Sequence, residues 1–265
     1  MKSRVLTNFV GAILLCVGFA AVARAQDFQK SYNVGPNGSV SIANVSGDVN
    51  LTGYDGGSVE VAAFKEGRDR DLVEVEDLSD AGHVELRAKY PRNCNCDASI
   101  RFEVRVPRGA AVNIDKISTA SGNIKAEGVS GRMRLNTASG NVTLQGVSGE
   151  IHANSASGNV SVREAAGTVS ANTASGNVEV ELNRLEGTGD LRFSSASGDV
   201  RVRLPSSVDA DVEMSTASGS IDTNFPIEVK EDRYGSGKRA RGRLGSGSRL
   251  LRISTASGDV SLKSI

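Results

Sequence analysis

The chain has 265 residues, with 31 Lys and Arg against 31 Asp and Glu, 30 Gly, 4% aromatic residues and no Trp. A net charge of zero supplies no basic field for nucleic acid. So few large side chains exclude an ordinary globular core, and small residues must fill the interior.

The first 25 residues read as an export signal. Lys2 and Arg4 give a positive start, Val10 to Val22 form an apolar run, and Ala23-Arg24-Ala25 supplies an A-x-A cleavage pattern. The run is short of the roughly 20 apolar residues a bilayer span needs, and no second one follows, so no transmembrane segment is expected in the mature chain. Cys16 follows Ile13-Leu14-Leu15 instead of the small residues of a lipobox. Without residues 1–25 the basic count falls from 31 to 28 against an unchanged 31 acids, a net charge of −3. The expected location is exported: periplasm, cell surface or extracellular.

Residues 26–115 alternate apolar and polar positions in SVSIANVSGDVNLTGY, SVEVAAFK, HVELRAKY and IRFEVRVP, the period of strands. They lack a fixed repeat, although Val45-Ser46-Gly47-Asp48-Val49 resembles the corners found further on. This part is expected to be a β-rich cap or a set of irregular coils, because a bare terminal coil would offer an unpaired edge.

Residues 116–265 form the repeat region. Gly122, Gly131, Gly140, Gly149, Gly158, Gly167 and Gly176 follow at an unbroken spacing of nine, and each unit has apolar or small residues at its third, fifth and eighth positions. Each unit is one short strand and one corner. Corners of the type Thr/Ser-Ala-Ser-Gly-Asn begin at Thr119, Thr137, Ser155 and Thr173 and alternate with Val-Ser-Gly or Ala-Gly corners, so the full period is 18. The fold expected is an all-β, repetitive β-solenoid resembling a parallel β-helix, with 18-residue coils of two 9-residue units. Its alternative is an antiparallel β-sandwich or meander. Stacked coils would align Asn123, Asn141, Asn159 and Asn177, with Ser121, Ser139, Ser157 and Ser175 beside them. They would bury Ile124, Leu135, Val142, Leu144, Ile151, Val160, Val162, Val169 and Val178. The corner recurs at Ser195, Thr216 and Thr255. Pro107 and Pro205 mark strand ends, and residues 225–249 read as an exposed, mobile loop rich in Gly, Ser and charge.

The order of these motifs is familiar: a Gly-Asp-Val corner with Gly53-Tyr54 and a Val-rich strand, then FEVRVP, tandem Ser-Gly-Asn/Asp-Val units and a closing GSGSRLLRISTASGDVSL. It resembles the bacterial putative-adhesin family, a domain of unknown function with β-strand repeats, over about Phe28 to Leu262. The resemblance implies an exported β-repeat domain at the cell envelope and carries over no catalytic or ligand residues. The Cys-Asn-Cys and Arg-rich segments depart from it.

Few residues suggest chemistry. Cys94 and Cys96 are the only cysteines after cleavage and are a disulfide candidate in an oxidising compartment. Zinc would need about four ligands, and His83 and His152 lack the spacing to join the cysteines and Asp97. Calcium would need carboxylates at successive corners, but only Asp48, Asp199 and Asp259 stand there. No metal or cofactor is expected. Between Thr119 and Val180 four basic and four acidic residues are scattered, with none of the recurring carboxylate pairs of a polysaccharide-active β-helix enzyme. No catalytic residue is assigned, and the enzyme remains the remote reading. Lys238, Arg239, Arg241 and Arg243 could contact anionic polymers. The function expected is a non-enzymatic envelope module, structural or adhesive, binding envelope polysaccharide or other envelope proteins. The alternative is a scaffold acting through protein partners.

Overall fold

A computed structural model describes residues 27–35, 37–109, 112–231 and 237–265. The expected export signal and residues 232–236 of the expected loop lie outside them. The first third contains β1 (Phe28–Tyr32), β2 (Ser39–Ala43), β3 (Val49–Tyr54), β4 (Val59–Glu66), β5 (Glu74–Asp77), β6 (His83–Lys89) and β7 (Ser99–Pro107). A 3-10 turn at Arg70–Leu72 interrupts them. The middle contains β8 (Asn113–Ser121), β9 (Ile124–Glu127), β10 (Met133–Ser139), β11 (Val142–Gln145), β12 (Ser148–Ser157), β13 (Val160–Ser175), β14 (Val178–Arg184), β15 (Leu191–Ser197) and β16 (Val200–Leu204). The last part contains β17 (Ala210–Ser218), β18 (Ile221–Thr223), β19 (Glu228–Glu231), β20 (Lys238–Leu244), β21 (Leu250–Ser257) and β22 (Val260–Ser264).

The molecule is an all-β solenoid of parallel coils, two strands to a coil, whose two walls enclose one narrow apolar core. In the regular part each strand pairs with the strand 18 residues on, as Leu135 with Ala153 and Val142 with Val160. Parallel pairing follows from two unlike corners per coil, because a meander would not return each corner to its own copy. Inward positions alternate with outward ones along the strands of the regular coils, as in β10 and β11. Ile124, Leu135, Val142, Leu144, Ile151, Val160, Val162, Val169 and Val178 are all fully buried, at 0% exposure. Each contributes at most about 1.5–3 kcal/mol before chain entropy is subtracted. Alanines such as Ala126, Ala153 and Ala171 fill facing positions, which is how a core almost without aromatics closes.

Coils begin before the regular repeat: β2 and β3 pair in parallel with β8 and β9, and β6 and β7 lie on the other side of β2 and β3. Along the axis the order of coils is β6–β7, β2–β3, β8–β9, β10–β11, β12 with the first half of β13, its second half with β14, then β15–β16, β21–β22 and β17–β18.

Stacking strictly in chain order, the simplest extension of the repeat, therefore fails at both ends. The first coil of the chain lies beneath β6–β7, and the last coil slides between β15–β16 and β17–β18. The physical reason is edge protection. A chain that stopped at the outermost coil would leave no segment to cover the final strand. Here β4 and β1 continue antiparallel beyond β7, β5 covers β6, and β20 followed by β19 covers β17.

The segment expected as an exposed loop at 225–249 is thus corrected: much of it is this β19–β20 hairpin. Ala240 and Leu244 face the core while Arg239, Arg241 and Arg243 face outward. Its alternation of Ala or Leu with Arg was a strand signal hidden among Gly and Ser.

Candidate binding surface

The Thr/Ser-Ala-Ser-Gly-Asn/Asp corner is built by three ladders running along the axis. The hydroxyls of Thr119, Thr137, Ser155, Thr173, Ser195, Thr255 and Thr216 donate to the carbonyls of Gly47, Gly122, Gly140, Gly158, Gly176, Gly198 and Gly258, each on the preceding coil of the stack. All seven are buried. Glycine is needed because the coils nearly touch at this point: a Cβ on Gly140 would lie 2.0 Å from the Gly122 carbonyl oxygen.

The third ladder is the expected Asx column. The Oδ1 atoms of Asp48, Asn123, Asn141, Asn159, Asn177, Asp199 and Asp259 accept from the backbone N–H of Asn123, Asn141, Asn159, Asn177, Asp199, Asp259 and Ser220 in turn. An oxygen is all that is required, so Asn and Asp are equivalent here and the corner carboxylates are absorbed by capping. The Ser220 amide draws the Asp259 pKa below the usual carboxylate range. By contrast Ser121, Ser139, Ser157 and Ser175 point outward, and the ladder hydroxyl is the Thr or Ser two residues earlier. A further column, Asn136, Asn154, Asn172 and Ser194, joins side chain to side chain at 2.7–3.0 Å on the outer wall. Its signal, Asn at intervals of 18, was present in the sequence and was missed.

Near the β17–β18 end this wall becomes cationic. A shallow groove of about 500 Å³ crosses β20, β17 and β21, with Arg239, Arg241 and Arg252 around one carboxylate, Glu213, and a floor of Ser215, Ser254 and Thr255. Glu213 lies 2.8 Å from Arg252 and 3.6 Å from Arg241. Of the four cations expected to contact polymer, Arg239 and Arg241 line the groove. Arg243 is held by Asp211 at 2.7 Å, which raises its pKa, and Lys238 lies at the start of the same strand, half-buried. Arg252 and Glu213 were not foreseen, because only the insertion of β21 beside β17 brings them together. The comparable groove at the other end, about 430 Å³, carries Lys30 and Arg105 balanced by Glu60 and Glu103.

Cys94 and Cys96 lie side by side in the β6–β7 loop, their Cα atoms 5.1 Å apart, a separation a disulfide can span. The next residue, Asp97, ties this loop to the 3-10 turn: its carboxylate accepts from Arg68 at 2.8 Å and its amide donates to Asp69 at 2.9 Å. Arg68 holds the Asp97 pKa below the ordinary range. His83 lies on β6 against Ser39. His152 lies on β12 against Glu150, whose pKa it lowers. Among the described residues, no three of His, Cys, Asp and Glu converge as metal ligands. No helix among them is long and apolar enough to cross a membrane.

These features define the class: an all-β repeat protein of stacked coils with covered ends and an arginine-lined groove near one of them. A family model described as Toastrack DUF4097 matches residues 39–263, and the chain belongs to that family. No curated protein matches it. Several solved structures are similar, three of which follow. A putative adhesin from Bacteroides fragilis is 15% identical, with 90% of this chain and 96% of that one covered and a TM-score of 0.42. A putative lipid binding protein from Parabacteroides distasonis is 15% identical over 90% and 96%, with a TM-score of 0.40. A putative cell adhesion protein from Clostridium sporogenes is 14% identical over 90% and 99%, with a TM-score of 0.36.

Proposed function

We infer that this protein is an exported, non-catalytic envelope module that binds anionic envelope polymers in the groove formed by Arg239, Arg241 and Arg252. The observation that carries this reading is the convergence of Arg239, Arg241 and Arg252 on one groove across adjacent strands. Charge is segregated along the chain as well: residues 66–85 hold eight acids and two basic residues, whereas residues 228–252 hold eight basic residues and three acids. The basic residues are thereby concentrated on β20 and β21. Arg241 and Arg252 stand on the two strands that flank Glu213, and guanidinium forks suit carboxylate and phosphate groups. Export rests on the pattern of residues 1–25.

The test is retention of the purified protein on immobilised acidic and neutral envelope polysaccharides across a salt series. Binding to the acidic polymers alone, weakened by salt and at least tenfold weaker in an Arg239→Gln/Arg241→Gln/Arg252→Gln variant of unchanged thermal stability, is the expected result. Equal retention of that variant, or no retention on any polymer, overturns the reading and favours a scaffold acting through protein partners.

A further inference from the structure

Arg249 is the anomaly of the described structure. Its Nη2 donates to the Gly187 carbonyl oxygen, but Nε and Nη1 are closed to solvent and meet no acceptor. They are the only buried side-chain polar atoms without a partner among the described residues. A guanidinium cannot shed its charge to escape such a position. Buried donors are otherwise satisfied almost throughout native proteins, so an unmet pair calls for an acceptor.

The surrounding carboxylates do not supply one. Asp209 accepts from Ser246 Oγ and from the amides of Gly247 and Ser248. Asp190 accepts from Leu250 N–H and from Arg192, and Glu186 faces Arg184 at 3.9 Å. Beside Arg249 opens a cleft of about 370 Å³ between the β14–β15 and β16–β17 loops, with Leu185, Pro205 and Val208 as apolar wall; Asp209 and the Arg184–Glu186 pair line it as well, their charges met as just described.

We propose that this cleft is a binding site for a small oxyanion, a carboxylate or phosphate group on a partly apolar molecule, and that Arg249 turns its guanidinium into the cleft to hold it. The two unmet donors make the parked rotamer poor and the ligand-bound one better, because a cation without acceptors gains most from an anionic partner. The site lies apart from the arginine groove and does not depend on the polymer reading. It is also outside the repeat pattern, since Arg249 belongs to the turn that leads into the inserted coil.

The test uses thermal shift and calorimetry on the purified protein at fixed ionic strength, with acetate, glucuronate, inorganic phosphate and glycerol phosphate as probes and chloride as control. Saturable binding with a millimolar or lower Kd and a rise in Tm of a few degrees is expected from at least one class. Carboxylates alone point to an acidic sugar, and phosphates alone to a phosphoester. Arg249→Met, which keeps the bulk of the side chain and removes its donors, should abolish binding and lower the ligand-free Tm by no more than loss of the single Gly187 hydrogen bond explains. Arg163→Gln on the opposite wall should leave binding intact. The proposal is overturned if no probe binds, if Arg249→Met binds as wild type does, or if it lowers the ligand-free Tm by more than that one hydrogen bond explains, which would make Arg249 a structural residue.

Discussion

The buried hydroxyl is the smallest unit on which this fold depends. Thr137 donates to the Gly122 carbonyl at 3.0 Å where neighbouring coils are closest. Thr137→Val keeps the shape and leaves that carbonyl unmet, so it should cost about 1–2 kcal/mol in denaturant unfolding. Thr137→Ser should stay within about 0.5 kcal/mol of wild type, and equal losses would contradict the ladder. A second residue sets a pH response. Burial pushes the Asp77 pKa up, but hydrogen bonds from Lys30 at 2.6 Å, Ser79 and Tyr32 outweigh it and bring the carboxyl to about 2. A pKa depressed below that of the unfolded chain, roughly 3.9, gives stability that is full above about pH 4 and is lost as pH falls towards 2. Asp77→Asn should therefore lower the Tm at pH 7, and its deficit should vanish near pH 2. A deficit independent of pH would show that charge is not the cause.

At the scale of the element, the β19–β20 hairpin decides whether the stack ends safely. Ala240, 1% exposed, stands between Met214 of β17 and Val229 of β19. Proline there lacks the amide hydrogen and breaks the ladder. Ala240→Pro should bare the β17 edge and give concentration-dependent aggregation in light scattering, whereas Ala240→Ser should remain monodisperse. Lys230 and Glu228 on β19 place charges on the new outer edge, the usual defence against strand addition. The same hairpin carries Arg239 and Arg241 into the groove, so edge cover and candidate binding surface are one element.

Across the whole molecule, chain order and stack order differ, and that changes what a truncation removes. Stopping the chain after Ser248 deletes β21–β22, a coil with neighbours on both sides, and leaves β17–β18 with nothing to stack on. Such a protein should lose ordered structure back to about Leu204, and limited proteolysis should yield a stable fragment ending near that residue. Solenoids are held mainly by neighbour contacts, so a fragment reaching Ser248 and resisting protease would show that β17–β20 folds without the inserted coil.

The sequence by itself determined the coil: period, parallel stacking, the Asn column and the nine core positions all follow from Gly spacing and alternation, which are local and repeated. It also displayed the basic segment, though as a loop, because Gly and Ser around Arg masked a strand of Ala240 and Leu244. Tertiary structure alone decided which coil lies next to which. Repeated corners are nearly interchangeable, so local pattern cannot rank one neighbour over another, and the choice falls to covering the edges at each end. That choice sets Arg252 and Glu213 beside Arg241, and it leaves Arg249 in the wall of a cleft with two donors unmet.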